Sequence, residues 1–185
     1  MTEYKTIKQS VEFPVDLSFV KRHLNVDEDF KEDDIYILSL IKSSTKKAEN
    51  YTGMDIALTH NRKKLLGFKG IEFKVRESPL VEFKGITAMD DDGKEVLLDP
   101  KEYRIINKDT SFTICFNSSV DYSEIEFEYY TGFSSDNIPE DISQAVCIMT
   151  ANLYDIGRNS FTVGANYRDN HIFESLLAGH VIYYW

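Results

Sequence analysis

Between Ile56 and Phe133 the hydrophobic period changes from that of a helix to that of a strand, and this change limits the possible folds more than any other feature. The segments IEFKV, LVEFKGITAM, EVLL, YRII, FTICF and EIEFEYY alternate apolar with polar residues and are rich in Ile, Val, Phe and Tyr. That is the pattern of strands with one buried face. The turn formers FKG, ESP, DDDGK, NKD and NSSVD separate them, so the expectation is an antiparallel β-sandwich or barrel-like module. Asp-Gly within DDDGKE marks one hairpin.

On both sides of this module the period is helical. Asp16 precedes LSFVKRHL, where Leu17, Val20 and Leu24 recur at helical spacing and Asp16 can cap the first turn. After the charged NVDEDFKEDD, a second helix is expected to begin at Asp33 or Asp34. Its positions Ile35, Leu38, Ile41 and Thr45, with Ile37 and Leu40 beside them, predict a broad buried stripe. Lys42, Lys46 and Lys47 lie toward the end of this helix, where they oppose its dipole favourably, Tyr51 is expected to pack its last turn, and Gly53 to stop it. In the last third, Pro139 with Glu140 and Asp141 opens a long helix whose apolar face is Ile142, Ala145, Val146, Met149 and Leu153, broadened by Ile148 and closed by Gly157. A polar link and a short helix from about Asn170 to Leu177 lead to the tail AGHVIYYW. The predicted class is α+β: a helical bundle formed by the N- and C-terminal helices, with the antiparallel module inserted. Its boundaries are 1–55 for the N-terminal helical part, 56–134 for the β module and 135–185 for the C-terminal helices and tail.

Composition narrows the function. The 185 residues suffice for a real core, and 42% hydrophobic with 28% charged residues is ordinary for a globular chain. Thirty-one acidic against 21 basic residues leave a net charge of −10, the wrong sign for gripping phosphates. Cys115 and Cys147 stand among apolar neighbours and read as small core thiols rather than a disulfide framework. MTEYKTIKQS has no apolar core of a signal peptide, and no run has the length of a membrane span, so a cytoplasmic origin without membrane contact is expected.

Groups that would converge on chemistry are scarce. His23, His60, His171 and His180 are scattered, with no metal-ligand spacing, nucleophile elbow or phosphate loop. Asp90, Asp92 and Gly93 coincide with three positions of a calcium loop, but Ala88 and Asp99 fall where its first and last carboxylates belong, so a hairpin is the better account. The carboxylates Asp27, Glu28, Asp29, Glu32, Asp33 and Asp34 surround Phe30 without the glycine of a metal loop, and read as a solvated interhelix loop with capping residues. Arg62, Lys63 and Lys64 form a short basic cluster. The tail His180, Val181, Ile182, Tyr183, Tyr184 and Trp185 is harder to explain in a lone chain, because interfaces are enriched in Tyr and Trp. It either packs back on its own chain or docks on another subunit.

The order of these blocks resembles the head–tail connector (adaptor) proteins of tailed bacteriophages. Their hydrophobic helix ending in Ala-Glu-x-Tyr-Thr-Gly is matched here by Ala48, Glu49, Tyr51, Thr52 and Gly53. Their strand, polar loop, Ile/Val-Pro and long helix are matched by Tyr129, Gly132, Phe133, Ile138, Pro139, Ala145, Leu153 and Tyr154. The β region, with SPL before a strand and the DDDGKEVLLDPKEYRI hairpin, resembles the variant of the family that carries an inserted sheet. The likeness runs from about Asp16 to Leu177. It departs at ANLYDIGRNS, where many relatives continue with His-Trp-Tyr-Glu-Asn-Arg, and at the tail, which has no counterpart.

The resemblance implies a structural, non-enzymatic virion protein, without cofactor or metal. It implies a self-assembled ring of twelve copies in the neck, between the portal protein and a stopper or tail-completion protein, built in the bacterial host cytoplasm. DNA would pass through its channel without sequence-specific binding. On this reading Asp27, Glu28 and Asp29 serve one interface, Arg62, Lys63 and Lys64 another, and the tail from His180 to Trp185 a third. Three alternatives stay open: another neck ring (a stopper or tail terminator), a β-sandwich module binding carbohydrate or peptide, and an enzyme with a dispersed site on the strands.

Overall fold

The computed structural model describes residues 3–89, 93–158 and 172–182. The chain divides into two compact units, one of Met1–Val11 with Ala57–Phe133 and the other of Glu12–Ile56 with Ser134–Trp185.

The first unit is a single antiparallel sheet of β1 (Glu3–Glu12), β2 (Leu58–Val75), β3 (Leu80–Met89), β4 (Glu95–Leu97), β5 (Tyr103–Lys108) and β6 (Ser111–Thr131). The order is β1-β2-β6-β3-β4, with β5 also on β6, so β6 is the spine. Its first half lies between β5 and the end of β2, its second half between β3 and the start of β2. Two of the expected turns are not turns. FKG and NSSVD fall opposite each other, where Gly70 pairs with Val120 but Glu72 pairs with Cys115. The extra residues of β6 are absorbed as an irregularity that bends both long strands instead of ending them. The result is one half-barrel sheet rather than a two-sheet sandwich. Alternation places Phe112, Ile114, Phe116, Ile125, Phe127 and Tyr129 of β6 on one face, packed with Leu65, Phe68, Val75 and Ile86.

β1 departs from the helical reading of the N-terminal third. Its apolar residues Ile7 and Val11 are four apart and 45% and 57% exposed, so it pairs with β2 as an edge strand without supplying an alternating buried face. Lys5 and Lys8 on that edge discourage unplanned pairing. At the other end of the unit Gly132, at φ 97°, passes so near Ala57 that an added Cβ would lie 2.1 Å from its carbonyl oxygen. A side chain has no room there.

The second unit holds α1 (Leu17–His23), α2 (Asp34–Thr52), α3 (Glu140–Arg158), α4 (Ile172–Leu177) and a 3-10 turn at Ala178–His180. α3 lies against α2, α4 and α1. Asp16 caps α1 as its sequence implies, accepting the Phe19 N–H at 2.6 Å; that bond holds its carboxyl below the ordinary carboxylate range. Gly53 adopts the left-handed conformation and returns its N–H to the Glu49 carbonyl, ending α2. The stripe of α2 is rotated from expectation. Ile37, Ile41, Ser44, Thr45, Ala48 and Thr52 are buried, while Ile35 is 83% and Leu38 42% exposed. Burying Ile37 and Ile41 fully contributes about 1.5–3 kcal/mol each. On α3 the buried face is Ile142, Ala145, Val146, Met149 and Tyr154, and the helix continues through Gly157 to Arg158 rather than stopping at the glycine.

Candidate functional site

The acidic loop between α1 and α2 is built around a buried cation. Lys21, on the last turn of α1, is 2% exposed. Its ammonium donates to the Phe30 carbonyl at 2.5 Å and the Glu28 carbonyl at 3.3 Å, and forms an ion pair with the Asp34 carboxylate. A buried ammonium needs such a set of acceptors. Asp33, also buried, accepts the Tyr154 hydroxyl at 2.6 Å, which ties the end of the loop to α3. These inward contacts leave Asp27, Glu28, Asp29 and Glu32 on the outside with Phe30, and none of the four side chains has an ion pair among the described residues. Lys31 stays exposed, donating to the Glu28 carbonyl at 2.7 Å. The loop is therefore a fixed acidic surface.

The basic cluster is different in kind. Strand alternation points Lys63 inward, where it is 8% exposed and donates to both carboxylate oxygens of Glu77 at 2.7 and 2.8 Å. Burial alone would raise the Glu77 pKa, but the Lys63 hydrogen bond and charge outweigh it and leave the carboxyl below its ordinary value. Lys64 pairs with Glu124, whose hydrogen bond raises the lysine pKa. Arg62 is exposed, facing Glu128 in the register. Two of the three expected basic positions are thus neutralised within their own unit, Lys63 by Glu77 of the β2–β3 link and Lys64 by Glu124 of β6.

The tail returns to its own unit as far as it is described. The Ile182 N–H donates to the Thr52 carbonyl at 2.7 Å, at the very end of α2. His180 Nε2 lies 2.7 Å from an oxygen of Asp141 in the first turn of α3. Burial would raise the Asp141 pKa, and the His180 bond and charge more than reverse it. Val181 is half-buried; Tyr183, Tyr184 and Trp185 lie outside the described residues. The Ala-Glu-x-Tyr-Thr-Gly block thereby has a structural role. Ala48 is packed, Glu49 accepts the Ile56 N–H at 3.2 Å, Thr52 holds the tail, and Gly53 turns the chain. Tyr51 does not pack the last turn: it points outward, 39% exposed, because Ala48 and Thr52 occupy the inner face.

Several sequence candidates resolve to structure. Cys147 is buried, which pushes its thiol up to about 11. His60 stacks on Tyr130 and lies 2.7 Å from Glu128 on the outer face of the sheet. His171, Asp90 and Asp92 lie outside the described residues. Among the described residues no three His, Cys, Asp or Glu side chains come together as a metal requires, and no helix is long and apolar enough to cross a membrane. Two hollows on the sheet measure about 100 and 180 Å³, lined respectively around Lys64 and Glu124 and around Phe116 and Tyr122. Both are below the usual size of small-molecule sites.

Comparison with known proteins gives two findings. Residues 14–78 match the family of phage gp6-like head-tail connector proteins. Three solved structures share the fold over 97% of this chain and 97% of theirs. They come from the neck of an empty GTA particle computed with C6 symmetry (TM-score 0.73, 16% identity), the virion of a native gene transfer agent particle (0.71, 16%) and the neck of a native GTA particle computed with C12 symmetry (0.70, 15%). Among curated proteins no sequence matches this one. The resemblance carried by the Ala48–Gly53 block is thus found independently over α1, α2 and β2, and the matched family is structural rather than enzymatic.

Proposed function

We propose that this chain, which carries the pattern of the phage head–tail connector family, is the adaptor of a tailed phage or phage-like particle: a ring between the portal and a stopper or tail-completion protein. The observation that carries the reading is the agreement of the two comparisons. A connector pattern covers the α1–α2 segment, and the fold of chains from particle necks extends over nearly the whole length. The C6 and C12 symmetries of those necks support a closed ring, with twelve copies as the expected number. A ring contact is heterologous, so each copy needs two different complementary surfaces. The fixed acidic loop at Asp27, Glu28 and Asp29 is one candidate; Tyr183, Tyr184 and Trp185 are candidates for contact with a neighbour or the portal. The four helices of the second unit would act as one bundle, and the net charge of −10 suits a channel through which DNA slides without being held. The protein would be assembled in the host cytoplasm and end in the neck of the particle.

The test is removal of the gene from the strain that produces the particle. The adaptor reading expects filled heads and separate tails that fail to join, with joining restored by the full-length chain supplied from elsewhere. Intact tailed particles without this chain would refute it.

A further inference from the structure

The acidic loop has a counterpart on the sheet. Around the irregularity of β6, alternation sends Phe112, Ile114 and Phe116 into the core and their neighbours outward. The register then sets Ile106 of β5 across Thr113 from Lys74 of β2, and Arg104 across Cys115 from Glu72. Arg104 and Lys108 flank Ile106 on the same face of β5. Strand spacing places Ile106, Arg104, Lys108 and Lys74 within a patch roughly 13 Å along the strands and roughly 10 Å across them. All four are exposed, and Lys74, Arg104 and Lys108 have no ion pair among the described residues. This sets them apart from Lys63, Lys64, Lys69 and Lys84, each of which is paired with an acid of the same unit. Glu72 is the acid beside them on that face.

The loop before α2 is the converse surface. Its carboxylates Asp27, Glu28, Asp29 and Glu32 are unpaired, and they adjoin Phe30, 39% exposed, and the outward Ile35 and Leu38 of α2, one turn apart. Lys21 holds this surface from within, so docking it costs little ordering. One surface has an apolar centre with an acidic rim; the other is basic around Ile106.

We infer that in the assembled ring the acidic, apolar surface around Phe30, Ile35 and Glu32 of one copy docks on the cationic strand face of Lys74, Arg104, Ile106 and Lys108 of a second copy. The inference rests on the adaptor reading, because a heterologous ring needs two unlike faces, and it moves the basic face away from residues 62–64. The occupant is a second copy because the same chain carries both signs, each on a surface with an apolar centre. Rim charges of this kind set register and partner choice.

The experiment uses the full chain mixed with its cognate portal, the assemblies being counted by native mass spectrometry. Four proteins are compared: wild type, Asp29→Lys with Glu32→Lys, Arg104→Glu with Lys108→Glu, and all four substitutions together. Every altered residue is exposed, so each variant should retain the wild-type circular dichroism. Each one-sided variant should lower the yield of complete rings roughly tenfold or more, since like charges then face each other, and the four-fold variant should restore it. One-sided variants that form rings as wild type does would overturn this interface and leave the adaptor role standing. Loss without restoration by the four-fold variant would overturn the pairing of these two surfaces. A wild-type chain that forms no ring on its portal would overturn the adaptor reading, and this interface with it.

Discussion

Replacing Lys21 by Met tests whether a buried cation organises the acidic loop. The substitution keeps an apolar stem of similar length and removes an ammonium that is 2% exposed, bonded to two carbonyls and paired with Asp34. Breaking a buried pair by removing one partner costs about 3–5 kcal/mol. Asp34 retains 21% of its side-chain exposure and can take up water, which lowers the cost to about 2–4 kcal/mol. For a chain of this length that corresponds to a fall in Tm of about 5–15 °C. The measurement is thermal unfolding followed by far-UV circular dichroism, with hydrogen exchange across residues 24–34. If Lys21 organises the loop, the Tm falls and exchange quickens at Phe30 and Asp34, whose N–H groups bond to the Asp27 and Lys31 carbonyls. Lys31→Ala is the control: its ammonium also reaches the Glu28 carbonyl but from an exposed position, so it should change stability by no more than about 0.5 kcal/mol. Equal, small effects of both substitutions, with unchanged exchange, would refute the organising role of Lys21.

Other perturbations follow from the same geometry. Gly132→Ala places a Cβ against the Ala57 backbone, which cannot swing aside, and should destabilise by more than about 3 kcal/mol; Gly67→Ala, at φ 63° with open space around it, should cost about 1–2 kcal/mol in urea titrations. The Glu77 carboxyl has a depressed pKa, so its contribution is complete above the ordinary carboxylate range and is lost as the pH falls through its lower folded value. The stability gap between wild type and Glu77→Gln should therefore narrow below about pH 4.5 and be flat above it, as read from urea midpoints across pH. With its pKa at about 11, Cys147 should stay unreactive toward a thiol reagent at pH about 8 in a Cys115→Ser background, and react once urea unfolds the chain.

What could be read from the residues alone was what local chemistry decides. Asp16 and Gly53 mark helix ends because a cap and a left-handed turn depend on single residues, and the strands of the β module declare themselves by alternation. β1 was illegible because an edge strand with exposed Ile7 and Val11 has no buried face to alternate. The FKG and NSSVD segments look like turns, but the neighbouring strands that carry β2 and β6 past them are distant in sequence. Gly157 has the composition of a helix stop, yet α3 runs past it. At the candidate surfaces, charge counts located the acidic loop, while Lys21 beneath it is an ordinary surface residue by pattern. The basic cluster misled for the opposite reason: Lys63 and Lys64 meet Glu77 and Glu124 through pairings that no local pattern records. Ile35 and Leu38 fit a core stripe by spacing, but α2 buries the adjoining face through Ile37, Ser44 and Ala48.

We propose above that this chain forms the ring on the portal. Native mass spectrometry of the purified protein, alone and mixed with the portal encoded nearest to it, tests this most directly. A ring on the portal gives a complex with one copy of this chain per portal subunit, whatever the state of the free protein. A chain that stays apart from the portal and monomeric would contradict it.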